Sequence, residues 1–115
     1  MVVMAYSVVH LPAMVKATFF LPLADNDGRS LEAEITAVED ECFVAFGAWT
    51  LSGYFKGAWR SDTGERQLDT SAAYTVLLPA ERVPELEAIL RRFKAGTKQE
   101  AIYLELVREI DLRYL

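Results

Sequence analysis

At 115 residues the chain has room for one domain, and 52% apolar residues supply enough hydrophobic surface for a core, which excludes a disordered chain. The formal charge of −5 excludes an extended nucleic-acid interface, which needs clustered Lys and Arg to displace counterions. A single cysteine excludes an internal disulfide framework and a multi-cysteine zinc site.

Met1 to Ala13 carry no Asp, Glu, Lys or Arg. A secretory signal needs a basic start before its apolar stretch. A membrane span needs about 20 apolar residues, and Lys16 and the acids from Asp25 onward interrupt too soon. Residues 1–13 are therefore expected to be an N-terminal extension, or an extra strand over Val2–Leu11 that pairs at a sheet edge or with a second subunit, ahead of a single domain over 14–115. Val15 to Leu21 is rich in β-branched and aromatic residues and stops at Pro22, which reads as a strand. Asp25-Asn26-Asp27-Gly28 is turn chemistry, and Ser30 is placed to cap a helix. Leu31, Ile35, Val38 and Cys42 then recur on one helical face, with Gly47 at the stop.

From Ala48 the period becomes two. Trp49, Leu51, Gly53, Phe55, Gly57 and Trp59 fall on one face; Thr50, Ser52, Tyr54, Lys56, Ala58 and Arg60 fall on the other. Two glycines in so long a strand predict a bend or a bulge. Without a bulge Trp49, Phe55 and Trp59 face the helices and Tyr54 and Tyr103 lie outward; a register reversed at a bulge instead exposes the tryptophans. Ser61-Asp62-Thr63-Gly64 signals a hairpin whose return strand runs from Glu65 to Leu78, ending at Pro79. A second helix is expected to bury Val83, Leu86, Ile89, Leu90 and Phe93, with Pro84 in its first turn and Gly96 just past its end. Gln99-Glu100 is read as the start of a last strand whose row Ile102, Leu104, Leu106, Ile110, Leu112 and Tyr114 is broken at Arg108.

The order is β-α-β-β-α-β, the split βαβ or ferredoxin-like arrangement of the α+β class, in which two helices cover one face of a four-stranded antiparallel sheet. The other face is left open. With two tryptophans, five tyrosines and six phenylalanines in the chain, that face keeps apolar area and is expected to form an interface or a ligand cleft.

The charge is unevenly placed. Residues 1–50 hold seven acids against Lys16 and Arg29, whereas residues 51–115 hold ten of each sign. The acids from Glu32 to Glu41 read as a solvated helix face, and they lack the spacing that surrounds calcium with oxygens. Gly53 to Arg60 resembles a glycine-rich loop but has no phosphate-binding spacing and lies within a strand. Lys56, Arg60 and Arg66 can hold a carboxylate or phosphate, or pair with Asp62, Glu65 or Asp69 on the same hairpin. His10, the single histidine, belongs to the N-terminal segment ahead of the domain, and Cys42 falls on a buried stripe beside Asp40 and Glu41, so neither is assigned as a catalyst. Asp69 and Glu105 form a carboxylate pair only if the fold brings their strands together. The candidate ligand-binding set is Tyr54, Lys56, Arg60, Arg66, Asp69 and Tyr103; no catalytic or metal-ligating residue and no cofactor is assigned.

Gly57-Ala58-Trp59-Arg60, Gly64, Asp69 and Gln99-Glu100-Ala101-Ile102-Tyr103 together resemble short bacterial ferredoxin-like proteins over the C-terminal half. The element order is similar to that of the trimeric CutA and PII-like proteins, and this resemblance implies sheets packed between subunits. CutA-like chains place a glycine about two residues after their strand tryptophan, whereas Gly64 lies five beyond Trp59, so their metal-tolerance role is not carried over. Dimeric α+β-barrel enzymes share the fold but depend on strand histidines absent here. The expectation is a cytoplasmic, non-catalytic, homo-oligomeric binding or regulatory module with itself and a small anionic ligand as partners, and with neither membrane nor nucleic acid. The alternative is a small cofactor-independent enzyme, of isomerase or oxygenase type, with a cleft on the open face.

Overall fold

The computed structural model describes residues 9–10 and 13–115. Its elements are β1 (Val9–His10), β2 (Met14–Pro22), α1 (Glu32–Phe46), β3 (Thr50–Arg60), β4 (Arg66–Pro79), a 3-10 turn over Ala80–Arg82, α2 (Val83–Gly96), β5 (Leu104–Ile110) and β6 (Arg113–Tyr114). The main sheet has the order β3-β4-β2-β5, and every pairing is antiparallel. This is the ferredoxin-like α+β layout expected from the sequence. Val9–His10 pair with Arg113–Tyr114 in a separate two-stranded ladder. The remaining residues of the proposed Val2–Leu11 strand, and the His10 side chain, lie outside the described residues.

Period two sorts β2 into a buried row, Val15, Ala17, Phe19 and Leu21, and β4 into a second, Ala72, Tyr74, Val76 and Leu78. These rows face Leu31, Ile35, Val38 and Cys42 of the first helical segment and Val83, Leu86, Ile89, Leu90 and Phe93 of α2 in one core. Phe19 stacks on Tyr74 with ring centroids 5.6 Å apart. The Tyr74 hydroxyl donates to Glu39 on α1, tying sheet to helix. Burial first, and then the hydrogen bond to Glu39 and the charge of that carboxylate, hold the Tyr74 hydroxyl well above the usual tyrosine range.

The helix ends show what local chemistry decides. Leu31 is the N-cap of α1. Ser30, expected there, sits one residue upstream, yet its hydroxyl still accepts the Glu32 amide at 3.2 Å. Gly47, at φ 83°, closes the other end by donating to the Phe43 carbonyl. Gly96 does not terminate α2 as expected. It stays helical, and the stop is Thr97, whose amide and hydroxyl both donate to the Phe93 carbonyl. In the turn before α1 the Asp25 carboxylate accepts the amides of Arg29 and Asp27 at 2.9 Å. The Arg29 amide is the largest of the influences holding its carboxyl below the usual range.

Cys42 is 0% exposed, and burial, aided by the Glu41 charge, pushes its thiol up to about 11. A thiol without thiolate character is a poor nucleophile. The folded protein is therefore expected to resist a disulfide-exchange reagent at mildly alkaline pH and to react stoichiometrically once unfolded in urea. Rapid labelling of the native protein would refute the buried placement.

Gln99-Glu100 does not begin the last strand: β5 starts at Leu104, and residues 99–103 form the connection from α2. The predicted break near Arg108 is a register shift in β5 opposite Met14/Lys16, with Glu109 at φ 61°. The molecule is long, 55 × 26 × 23 Å, with a radius of gyration of 16.0 Å, against about 13 Å for a compact chain of this size. Part of that length is the distal arm of the β3–β4 hairpin, where the paired residues lose the burial seen from Ala72 to Leu78.

Candidate functional site

The site begins at a bulge. Leu51 pairs with Tyr74, but Gly53 pairs with Ala73, so Ser52 is an extra residue in β3. Gly53 sits at φ 149°, where L side chains are disfavoured, which explains a glycine at this position. An inserted residue in a period of two exchanges the faces of everything beyond it. Trp49 therefore stays on the helical side, against Tyr74 at 5.7 Å. Phe55 (opposite Ser71), Gly57 (opposite Asp69) and Trp59 (opposite Gln67) turn to the open face. The single row of Trp49, Phe55 and Trp59 expected from an unbroken strand is corrected by this insertion.

On the open face Phe55 meets Phe20 of β2 edge-on, with centroids 4.4 Å apart and planes at 66°. Tyr103 stacks flat on the same Phe20 at 4.3 Å and 7°. Its position is supported by the backbone, since the Phe20 amide donates to the Tyr103 carbonyl at 3.2 Å. Trp59 Nε1 donates to Asp69 Oδ2 at 2.7 Å, which aims the carboxylate. Gly57 stands between them, and its lack of a side chain leaves the space open. The connection Gln99–Ile102 forms a further wall. Together these groups line a cleft of about 430 Å³, within the range of about 300–1,000 Å³ usual for small-molecule sites.

The electrostatics of the lining are one-sided. Asp69 and Glu100 contribute carboxylates, and among the described residues no Lys or Arg lines the cleft. The Tyr103 hydroxyl donates to Glu105 Oε2 at 3.0 Å, and that bond raises its pKa. Glu105 thus engages Tyr103 rather than forming a pair with Asp69. A cleft with stacking rings and fixed negative charge suits a flat neutral or cationic ligand and disfavours an anion.

The six candidate residues are divided by the fold. Asp69 and Tyr103 line the cleft. Tyr54, opposite Ala72, and Lys56, opposite Thr70, lie on the other face of the hairpin. Arg60 and Arg66 oppose each other at its last rung and line a second depression of about 350 Å³ with Ala58, Trp59 and Gly64. Phe20, Phe55, Trp59, Gln99 and Glu100 belong to the cleft but not to the expected set. The signal that could have pointed to Phe20 is the unbroken apolar run Phe19-Phe20-Leu21-Pro22, which puts a second aromatic on the face away from the core. Among the described residues no group of three or more His, Cys, Asp and Glu side chains is arranged to hold a metal, and no helix is long and apolar enough to cross a membrane.

No protein-family model and no curated protein sequence matches the chain. Solved structures do match. CutA from Synechococcus elongatus superposes with a TM-score of 0.58 at 10% identity, over 91% of this chain and 84% of that one. A phage SAM lyase in its apo state gives 0.63 at 16% identity, over 89% and 87%. A phage SAM lyase in complex with S-methyl-5'-thioadenosine gives 0.60 at 14% identity, over 88% of each chain. The chain shares the ferredoxin-type fold of these proteins, and the similarity to CutA inferred from element order holds at the level of fold.

Proposed function

We propose that the protein is a homo-oligomeric small-molecule-binding module whose cleft on the open sheet face takes a flat neutral or cationic heteroaromatic compound, a nucleoside being the model case. The observation that carries this reading is the cluster of Phe20, Phe55, Trp59 and Tyr103 around a carboxylate, Asp69, that the Trp59 indole holds in place. Stacking on aromatic faces contributes about 1–3 kcal/mol per base. The S-methyl-5'-thioadenosine bound by one of the similar structures is a ligand of this chemical type and supports the choice of probe. Val107, 43% exposed, extends the apolar open face beyond the cleft, and Tyr103 in the cleft is itself 49% exposed; a second copy covering that face would shield both. The anionic ligand expected from the sequence is not assigned to the cleft, whose lining is acidic.

A second reading, an enzyme acting on the ligand in the same cleft, is favoured by Asp69. A positioned carboxylate facing an aromatic cleft can accept a proton or stabilise a developing cation. Light scattering after size exclusion is expected to give a mass of at least two chains at micromolar concentration. Adenosine and S-methyl-5'-thioadenosine are expected to change the tryptophan fluorescence saturably, an effect lost in Trp59→Phe. A strict monomer with no saturable response would refute the proposal. Recovery of the ligand unchanged after long incubation separates the module from the enzyme.

A further inference from the structure

The end of the β3–β4 hairpin carries a second feature, independent of the cleft. Arg60 and Arg66 are directly opposed across the last rung of the ladder. Side chains in that relation have Cβ atoms about 5 Å apart, and like charges so placed repel. Both residues are exposed. Among the described residues neither joins an ion pair, although five such pairs form elsewhere. The carboxylates nearest in sequence do not supply the missing charge. Asp62 and Glu65 make no salt bridge to either guanidinium, and Asp69 is engaged by Trp59 on the opposite face. The turn is closed internally: the Gly64 amide donates to the Ser61 carbonyl, and the Glu65 amide to the Ser61 hydroxyl. The repulsion between the two guanidiniums is thus uncompensated by the protomer, and they border a depression of about 350 Å³ that is open to solvent.

We propose that Arg60 and Arg66 form an oxyanion site for a doubly charged phosphate group held between the two guanidiniums. Arginine forks match the geometry of phosphate oxygens and bind them by paired, charge-assisted hydrogen bonds. One dianion between them replaces the mutual repulsion with two attractions. Lys56 lies on the same face but four residues from Arg60, about 13 Å along the strand, so it adds field without contact. The site differs from the cleft in sign and in the face its two arginines take; Ala58 and Trp59 border both.

The test is a titration of the full chain with inorganic phosphate at constant ionic strength, read on the arginine Nε–H resonances, with chloride as the control salt. The signals of Arg60 and Arg66 are expected to move together and saturably with phosphate and to stay still with chloride. Arg60→Gln and Arg66→Gln are each expected to weaken binding tenfold or more, and Lys56→Gln less than threefold. All three substitutions are at exposed positions, and unchanged circular dichroism shows that the fold is retained. Resonances that do not move, or a Lys56→Gln loss as large as the arginine losses, would overturn the site in favour of a diffuse surface field. Ribose 5-phosphate separates the sources of the group: tighter binding than inorganic phosphate identifies a phosphate ester as the occupant, and equal binding identifies free phosphate.

Discussion

Phe19→Ala is expected to lower the stability of the fold by about 3–5 kcal/mol, the range for deleting a large buried aromatic side chain. Phe19 is 1% exposed and stacks on Tyr74 in the middle of the sheet. Its truncation removes that stacking partner and opens a void between β2, β4 and the helices, where close packing leaves the neighbours little room to relax. Urea denaturation measures the effect directly, as a fall in transition midpoint at an unchanged slope. A midpoint within a few tenths molar of the unsubstituted protein would mean that the Phe19 row is not the core row of β2.

Phe20→Ala, one residue further along the same strand, is expected to act on binding instead. Phe20 touches both Phe55 and Tyr103 and is the ring that joins the two sides of the cleft. Its loss removes a stacking surface worth about 1–3 kcal/mol, so the affinity for a nucleoside probe is expected to fall between about 5-fold and 150-fold. Stability is expected to change by no more than about 1–2 kcal/mol, because Phe20 is only half-buried. Paired titrations and melts of the two variants separate the faces. A Phe20→Ala protein that binds the probe normally would remove the cleft from consideration.

The contrast between these neighbours also shows how far the sequence could be read. Phe19 and Phe20 alternate across a strand, so one had to be outward; which of them lay inward was set by the pairing of Phe19 with Tyr74 and of Phe20 with Ala73. The helices were more legible. Leu31, Ile35, Val38 and Cys42, and the row from Val83 to Phe93, are buried as their spacing predicts, because helical periodicity is a local property of the chain. Gly47 terminates α1 for an equally local reason, its positive φ. Gly96 was misread because a glycine can end a helix but need not, and here the Thr97 hydroxyl supplied the competing stop. The segment Gln99–Ile102 carried a strand-like pattern, yet it forms the cleft wall without joining the ladder.

The exclusions drawn from length, charge and cysteine count, together with the β-α-β-β-α-β order, were determined by the sequence alone, since they depend on composition and on periodicities that span few residues. The location of the cleft was decided by tertiary structure. One extra residue at Ser52, accommodated at Gly53, rotates the distal half of β3 and sends Phe55 and Trp59 to the open face. The same rotation places Tyr54 and Lys56 on the face opposite Asp69 and Tyr103, so six residues that read as one candidate set serve different surfaces. A bulge is defined by which residue of one strand opposes which residue of another, and that relation exists only once the two strands have paired.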